Sequence, residues 1–456
     1  MPPSPWDRLT AALPESAPGS WLKNLLARNA GCEYLRQFGS PLDEESFRDR
    51  LPTVAYADLL PELEAIQSGH DDVLFMGRPV AYERTGGSSG AAKVIPYTPE
   101  GLDDFRQALL PWLVEAARYH GVTGRAYLSI SPATRPVEMI GDIPVGLTDG
   151  AYLGGSAAAV MAELSAVPFS VAGIKDVSRW RAETLRHLTS ATDLELISCW
   201  SPTFLLRLLD ELPDPASLWP RLKLISCWAS GTSQPFAAEL AARLPQARLQ
   251  PKGLLSTECV VTVPDVRGRP ILTRYGFFEF EREQRLSLAH ELECGSIYAV
   301  LATTASGLFR YRTGDLVRCD GYSDAGQPIL EFVGRGEFAS DLVGEKLTEP
   351  FVADCLGAVR GFRMLVPTPR GDGYVLATDI AVGADMQQIE QRLCRNPQYA
   401  FARRMGQLHP ARLVELHGLF DRYVDVQLKQ GIRLGDIKPI ALRNERTWLE
   451  TLGASA

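Results

Sequence analysis

The chain contains no C-x-x-C pair, and its eight cysteines, at 32, 199, 227, 259, 294, 319, 355 and 394, are scattered, several of them inside apolar strand-like runs. Buried thiols in a reducing cytoplasm account for that pattern better than disulfides or a zinc site. Histidine is scarce, with six in 456 residues, and no Ser/His/Asp arrangement is recognisable, so nothing in the sequence asks for a protein nucleophile. No segment reaches the roughly 18 apolar residues of a membrane span. The opening MPPSPWDRLTAALPES lacks a basic stretch followed by an apolar run, so the expectation is a soluble, untargeted, cytoplasmic protein without a membrane partner. Positive charge is not in excess either: the formal net charge is −8, which argues against nucleic acid and leaves room for a small anion in a local basic pocket.

What is present is globular. A hydrophobic content of 45% with 22% charged residues excludes disordered and fibrous classes, and the length predicts two or three domains. Residues 98–121 read as a helix with Thr98 as N-cap, Pro99 in the first turn and Gly121 past the end. Short apolar runs at 126–131, 194–200 and 222–228, with a helix at 201–212 between the last two, predict a sheet flanked by helices. LISCW occurs twice, and without a fixed period it reads as two similar buried strands. From about residue 260 the chain becomes a succession of strands, expected to form an antiparallel, partly barrel-like region. After 334–341 a strand at 373–380, a helix at 385–394 and a strand at 413–420 predict a small α+β domain, with the boundary near Glu337.

The stretch Arg84 to Lys93, RTGGSSGAAK, crowds three glycines, two serines and a threonine before a lysine. Such residues build no core; backbone N–H groups, hydroxyls and one cation are the parts of a phosphate cradle. Two alanines separate Gly90 from Lys93, which excludes a Walker P-loop. A flexible surface loop is the other reading. In PKGLLSTECVVTVP (251–264), Glu258 sits between apolar residues and needs a partner: an arginine on one reading, the Mg²⁺ that accompanies ATP on the other.

The order of motifs narrows these choices. The Thr-Gly-Gly-Ser-Ser-Gly-x-x-Lys spacing resembles the phosphate loop of acyl-adenylating enzymes. The runs GLFRYRTGD (307–315), FVGR (332–335), RLPTVAYADLLPELEAIQSG (50–69), GDIPVG (141–146) and SCWSPTFLLRLLDEL (198–212) closely resemble the acyl acid amido synthetases, the auxin-conjugating family of the adenylating superfamily, in its compact bacterial form. The resemblance covers most of the chain. It implies an α/β fold: a large N-terminal adenylate-forming domain, 1–336, with sheets flanked by helices plus the barrel-like part, and a small mobile α+β domain, 337–456. It also implies a two-step reaction, in which a carboxylic acid and ATP give acyl-AMP and pyrophosphate, and an amine or amino acid then takes the acyl group with release of AMP.

The residue roles that the resemblance implies are as follows. Thr85, Gly86, Gly87, Ser88, Ser89, Gly90 and Lys93 hold the phosphates. Glu258 binds Mg²⁺, with Thr257 beside the α-phosphate and Ser256 a further nucleotide-binding residue. Asp315 accepts from the ribose hydroxyls, Arg335 reaches ribose or phosphate, Glu337 marks the hinge, and Lys438 is the late lysine that steadies charge during adenylation. The sequence departs from the family pattern at a shorter phosphate loop and at Leu254 and Leu255, which replace an aromatic and a glycine, so Trp228 with residues 229–232 becomes the expected wall of the base pocket. Tyr127, Met139, Ile143, Leu147, Tyr152 and Val171 either line an acyl pocket for an aromatic or apolar acid or belong to the core. Two other functions stay open: a thioester-forming acyl-CoA ligase with the same first step, and a degenerate nucleotide-binding module.

Overall fold

The computed structural model of the chain describes residues 5–11, 20–85, 93–128, 138–147, 152–336, 339–357, 361–379 and 386–453. Its centre is a parallel four-stranded sheet, with Arg125–Leu128, Leu194–Ser198, Leu224–Cys227 and Arg248–Pro251 in that spatial order. The two LISC copies lie side by side with like residues opposed, Leu196 to Leu224, Ile197 to Ile225 and Ser198 to Ser226. Because side chains alternate along a strand, both leucines enter the core under the helix Pro99–Tyr119, and both isoleucines enter the core on the opposite face. A parallel sheet covered on both faces needs such continuous apolar runs. The long helix starts as expected, with Thr98 Oγ1 accepting from Gly101 N at 3.0 Å.

A second layer is made by the hairpin Ala81–Arg84 and Val94–Tyr97, whose register brings Arg84 opposite Val94. It packs with the N-terminal helices and with Leu308, Phe309 and Tyr311 in one core. The expected run of strands from residue 260 forms one antiparallel seven-stranded sheet. Its pairings run in linear order, and its two edge strands do not pair with each other among the described residues. In the strand Tyr311–Tyr322 every second residue from Tyr311 to Cys319 is buried, which sends Tyr311, Thr313 and Asp315 inward.

Beyond Gly336 the strands Arg363–Pro367, Tyr374–Thr378 and Arg412–Glu415 form a separate three-stranded sheet with cores on both faces. Here the expected strand at 413–420 is corrected. It ends at Glu415, and Leu419–Lys429 is a helix. Gly418 takes a left-handed φ of +69°, and the Asp379 carboxylate accepts from the N–H groups of Leu419 and Phe420. A glycine that breaks the extended run and a carboxylate that satisfies free N–H groups start a helix there. Glu337 lies outside the described residues.

Candidate active site

A cavity of ≈ 420 Å³ opens between the parallel sheet, the hairpin and the C-terminal segment. It sits at the carboxyl ends of the parallel strands, where open α/β sheets place their ligands. Thr85, Lys93, Trp228, Ser256, Thr257, Glu258, Arg335 and Lys438 all line it. Gly86, Gly87, Ser88, Ser89 and Gly90 lie outside the described residues, but the two flanks of their loop are clasped. Thr85 N donates to Lys93 O at 2.9 Å, and Lys93 N donates to Thr85 Oγ1 at 3.2 Å. The Lys93 ammonium donates to Tyr311 Oη at 3.0 Å and lies 5.6 Å from the ring centres of Tyr56 and Tyr311.

Ser256 to Cys259 form a turn closed by Ser256 N donating to Cys259 O at 2.9 Å and by an antiparallel bridge from Leu255 to Val260. The turn pushes Thr257 and Glu258 into the cavity, and Tyr97 Oη donates to Thr257 O at 2.5 Å. Burial pushes the Tyr97 phenol far above its ordinary range, so it stays a donor. Glu258 is 7% exposed, and among the described residues no cation lies within the 4.0 Å of an ion pair. The arginine partner that one reading of the sequence required is therefore not found among those residues.

Asp315 sits behind the cavity wall, 2% exposed, with Oδ1 accepting from Arg335 Nε at 2.9 Å. Oδ2 is buried and has no partner among the described residues. Lys438 enters from the C-terminal segment, which is held by Thr232 Oγ1 donating to Pro439 O at 2.6 Å and Tyr423 Oη donating to Lys438 O at 2.7 Å. Its ammonium lies 4.5 Å from the ring centre of Trp228, so the expected wall of the base pocket already carries the late lysine. The side chain is deep in the cleft yet accessible, because what it faces is the open cavity. Desolvation and the nearby Arg335 lower its pKa.

The acyl pocket expected from the sequence needs correction. Of its six residues only Tyr152 lines the cavity. Tyr127 and Val171 are core residues under the parallel sheet, Ile143 and Leu147 belong to the N-terminal core, and Met139 is 48% exposed. The apolar wall is instead built by the long helix, through Phe105, Leu109, Leu110, Trp112 and Leu113, with Leu128, Leu153 and Met161 across from it.

Comparison with known proteins bears on the family and the fold. The GH3 family N-terminal domain matches residues 10–217, and the GH3 family central domain matches residues 270–335. The chain belongs to the GH3 family. Among curated relatives, the probable indole-3-acetic acid-amido synthetase GH3.6 of Oryza sativa subsp. japonica is 25% identical over 272 residues, covering 49% of this chain and 55% of that protein. The chain thus aligns with little more than half the length of that relative. The probable indole-3-acetic acid-amido synthetase GH3.7 of the same organism is 22% identical over 577 aligned positions, 94% of this chain and 90% of that protein. Among solved structures, AtGH3.15 acyl acid amido synthetase in complex with 2,4-DB superposes with a TM-score of 0.80 at 18% identity, over 99% of this chain and 94% of that one. The GH3 fold is therefore shared across most of the chain.

Within this GH3 frame the structure adds residues that the sequence reading missed. Tyr97, Tyr311, Trp112, Trp200 and Lys252 are all at the cavity or on its cations. Lys252 carried a signal, as an isolated charge in the apolar run that leads to Thr257 and Glu258. The aromatic residues carried none, since nothing in their spacing separates a pocket wall from a core.

Proposed function

We propose that this chain is an ATP-dependent acyl acid amido synthetase that adenylates a small carboxylic acid and passes the acyl group to an amine or amino acid. It is an amide-forming ligase acting through an adenylate. The observation that carries the reading is the convergence, in one cavity, of Lys438 from the C-terminal segment with Lys93, Thr257, Glu258 and Arg335. Five groups of this kind serve a reaction whose charge develops on phosphate oxygens.

In the first step a carboxylate oxygen attacks the α-phosphorus and pyrophosphate leaves. Lys93, Thr85 and the loop Gly86 to Gly90 hold the phosphates. Ser256 and Thr257 stand beside the α-phosphate, and Lys438 offsets the charge that grows on its equatorial oxygens. Asp315 is suited to the ribose because its Oδ2 is an unused acceptor. Arg335 orients it through the bond to Oδ1. Glu258 suits Mg²⁺, which takes one or two carboxylates together with substrate phosphates; when bound, the ion spreads the phosphate charge. In the second step the amine nitrogen attacks the activated carbonyl, AMP leaves with the C–O bond electrons and the nitrogen loses a proton. The 337–456 segment, with its own sheet and cores, is the part we assign to movement between the two steps.

The test supplies ATP and a panel of acids with either amino acids or coenzyme A, and identifies the product by mass. An amide with matching AMP release is expected. CoA-dependent AMP release with a thioester and no amide would overturn the amine acceptor.

A further inference from the structure

Lys252 is 4% exposed and lines the cavity, yet among the described residues no carboxylate pairs with it. It follows the last parallel strand directly, and its backbone N–H donates to Cys227 O at 3.1 Å. Its ammonium donates to Ser198 Oγ at 2.7 Å and lies 5.1 Å from the ring centre of Trp112 and 4.9 Å from that of Trp200. A lysine ammonium has three donors, and one hydroxyl and two ring faces leave it without a charged acceptor. The ionisable groups close to it are the thiols of Cys199 and Cys227. Beside it, Trp112 Nε1 is buried with no acceptor among the described residues. This end of the cavity is therefore rich in donors and poor in acceptors.

Burying such a cation costs stability, and an apolar side chain of similar volume would pack there at less cost. Desolvation accordingly pulls its pKa down to about 8. The position relative to the chemistry is also informative. Lys438 lies on Trp228, Lys252 lies on Trp200, and the two rings are 6.1 Å apart. The two cations thus sit on different rings of one aromatic pair, and Thr257 and Glu258 are not among the partners of Lys252.

We propose that Lys252 is a specificity residue that receives an anionic oxygen at the far end of the acyl substrate, so that the preferred acid carries a second acidic group beyond the carboxylate that is activated. This rests on the amido synthetase reading and narrows its substrate class from plainly apolar acids to two-headed ones. The apolar wall from the long helix holds the body of the acid, the reacting carboxylate lies at the Lys438 end, and the second head meets Lys252 and Trp112.

The test compares matched probes, phenylacetate with 4-carboxyphenylacetate and hexanoate with adipate, on the full chain and on Lys252→Met, which keeps the stem and removes the charge. Calorimetric binding is read first, because it does not depend on turnover. The wild type should bind the second acid of each pair at least about 10-fold tighter, the range of a charge-assisted hydrogen bond. Lys252→Met should erase that preference while changing affinity for the plain acid less than about 3-fold, and Lys252→Arg should restore part of it. Equal affinities within each pair in the wild type, or equal losses for both acids in Lys252→Met, would overturn the assignment. Acid-dependent pyrophosphate exchange on the same samples keeps the two claims apart: selective binding without exchange would refute the ligase reading and leave the role of Lys252 standing.

Discussion

Asp315 divides its two oxygens, one for Arg335 and one for no described residue, and a buried acceptor without a donor costs on the order of 1–3 kcal/mol. A ribose hydroxyl removes that cost, so Asp315→Ala should raise the KM for ATP about 10-fold or more while the KM for the acid stays put; steady-state kinetics with each substrate varied in turn decides it, and an unchanged ATP KM would exclude the contact. At this scale the sequence was legible wherever a charged or hydroxyl residue interrupts an apolar run. Thr257 and Glu258 could be named from such an interruption, Lys93 from the glycine- and hydroxyl-rich loop it closes, and Arg335 and Lys438 from the resemblance of their motifs to a known family; all five meet in one cavity. The acyl wall was illegible for the opposite reason. Leu109, Leu113 and Met161 look like core residues in sequence, and only the tertiary arrangement shows that part of their surface faces a cavity.

Elements explain motif residues that have no chemical task. In the run Gly307 to Asp315, Arg310 has a positive φ of 49°, while the hydroxyl of the next residue, Tyr311, accepts from the Lys93 ammonium. The Arg310 guanidinium pairs with Glu279 at 2.8 and 2.9 Å and donates to the carbonyls of Arg48 and Leu51, tying the antiparallel sheet to the N-terminal helices. Arg310 and Glu279 side chains are 6% and 1% exposed. Glu279 would keep only the more exposed Arg48, whose Nε donates to it at 3.2 Å, and two carbonyls would lose their donor, so Arg310→Ala should destabilise the chain by about 3 kcal/mol, the lower end for a broken buried pair, read as a lower urea midpoint at unchanged slope. A loss under about 1 kcal/mol would show that the pair is dispensable. The strands and the Thr98-capped helix were readable because period and cap agree; the helix after Gly418 was not, because its cap comes from Asp379, far away in sequence.

The two parts of the molecule meet, among the described residues, at a seam of aromatic and polar contacts. Besides Lys438 on Trp228, the Phe236 and Phe420 rings are 5.9 Å apart, Arg207 pairs with Asp421, and Arg433 reaches Leu147 O at 3.4 Å. Such a seam suits the movement we propose for the 337–456 segment between half-reactions. The double substitution Arg207→Ala with Phe236→Ala should therefore slow acyl-adenylate formation several-fold in rapid-quench experiments with ATP affinity unchanged; an unaltered adenylation rate would mean that these contacts do not govern closure. At this scale the order of motifs along the sequence was enough to read the GH3 architecture, whereas the arrangement of the C-terminal part needed the coordinates. The measurement that bears most directly on the account is acid-dependent exchange of labelled pyrophosphate into ATP, set beside amide formation from supplied acyl-adenylate, for the wild type and Lys438→Ala. The account predicts exchange with at least one class of acid, a loss of about 10²-fold in Lys438→Ala as for one preorganised transition-state contact, and an amide step left largely intact. No exchange with any acid, or equal loss in both half-reactions, would contradict it.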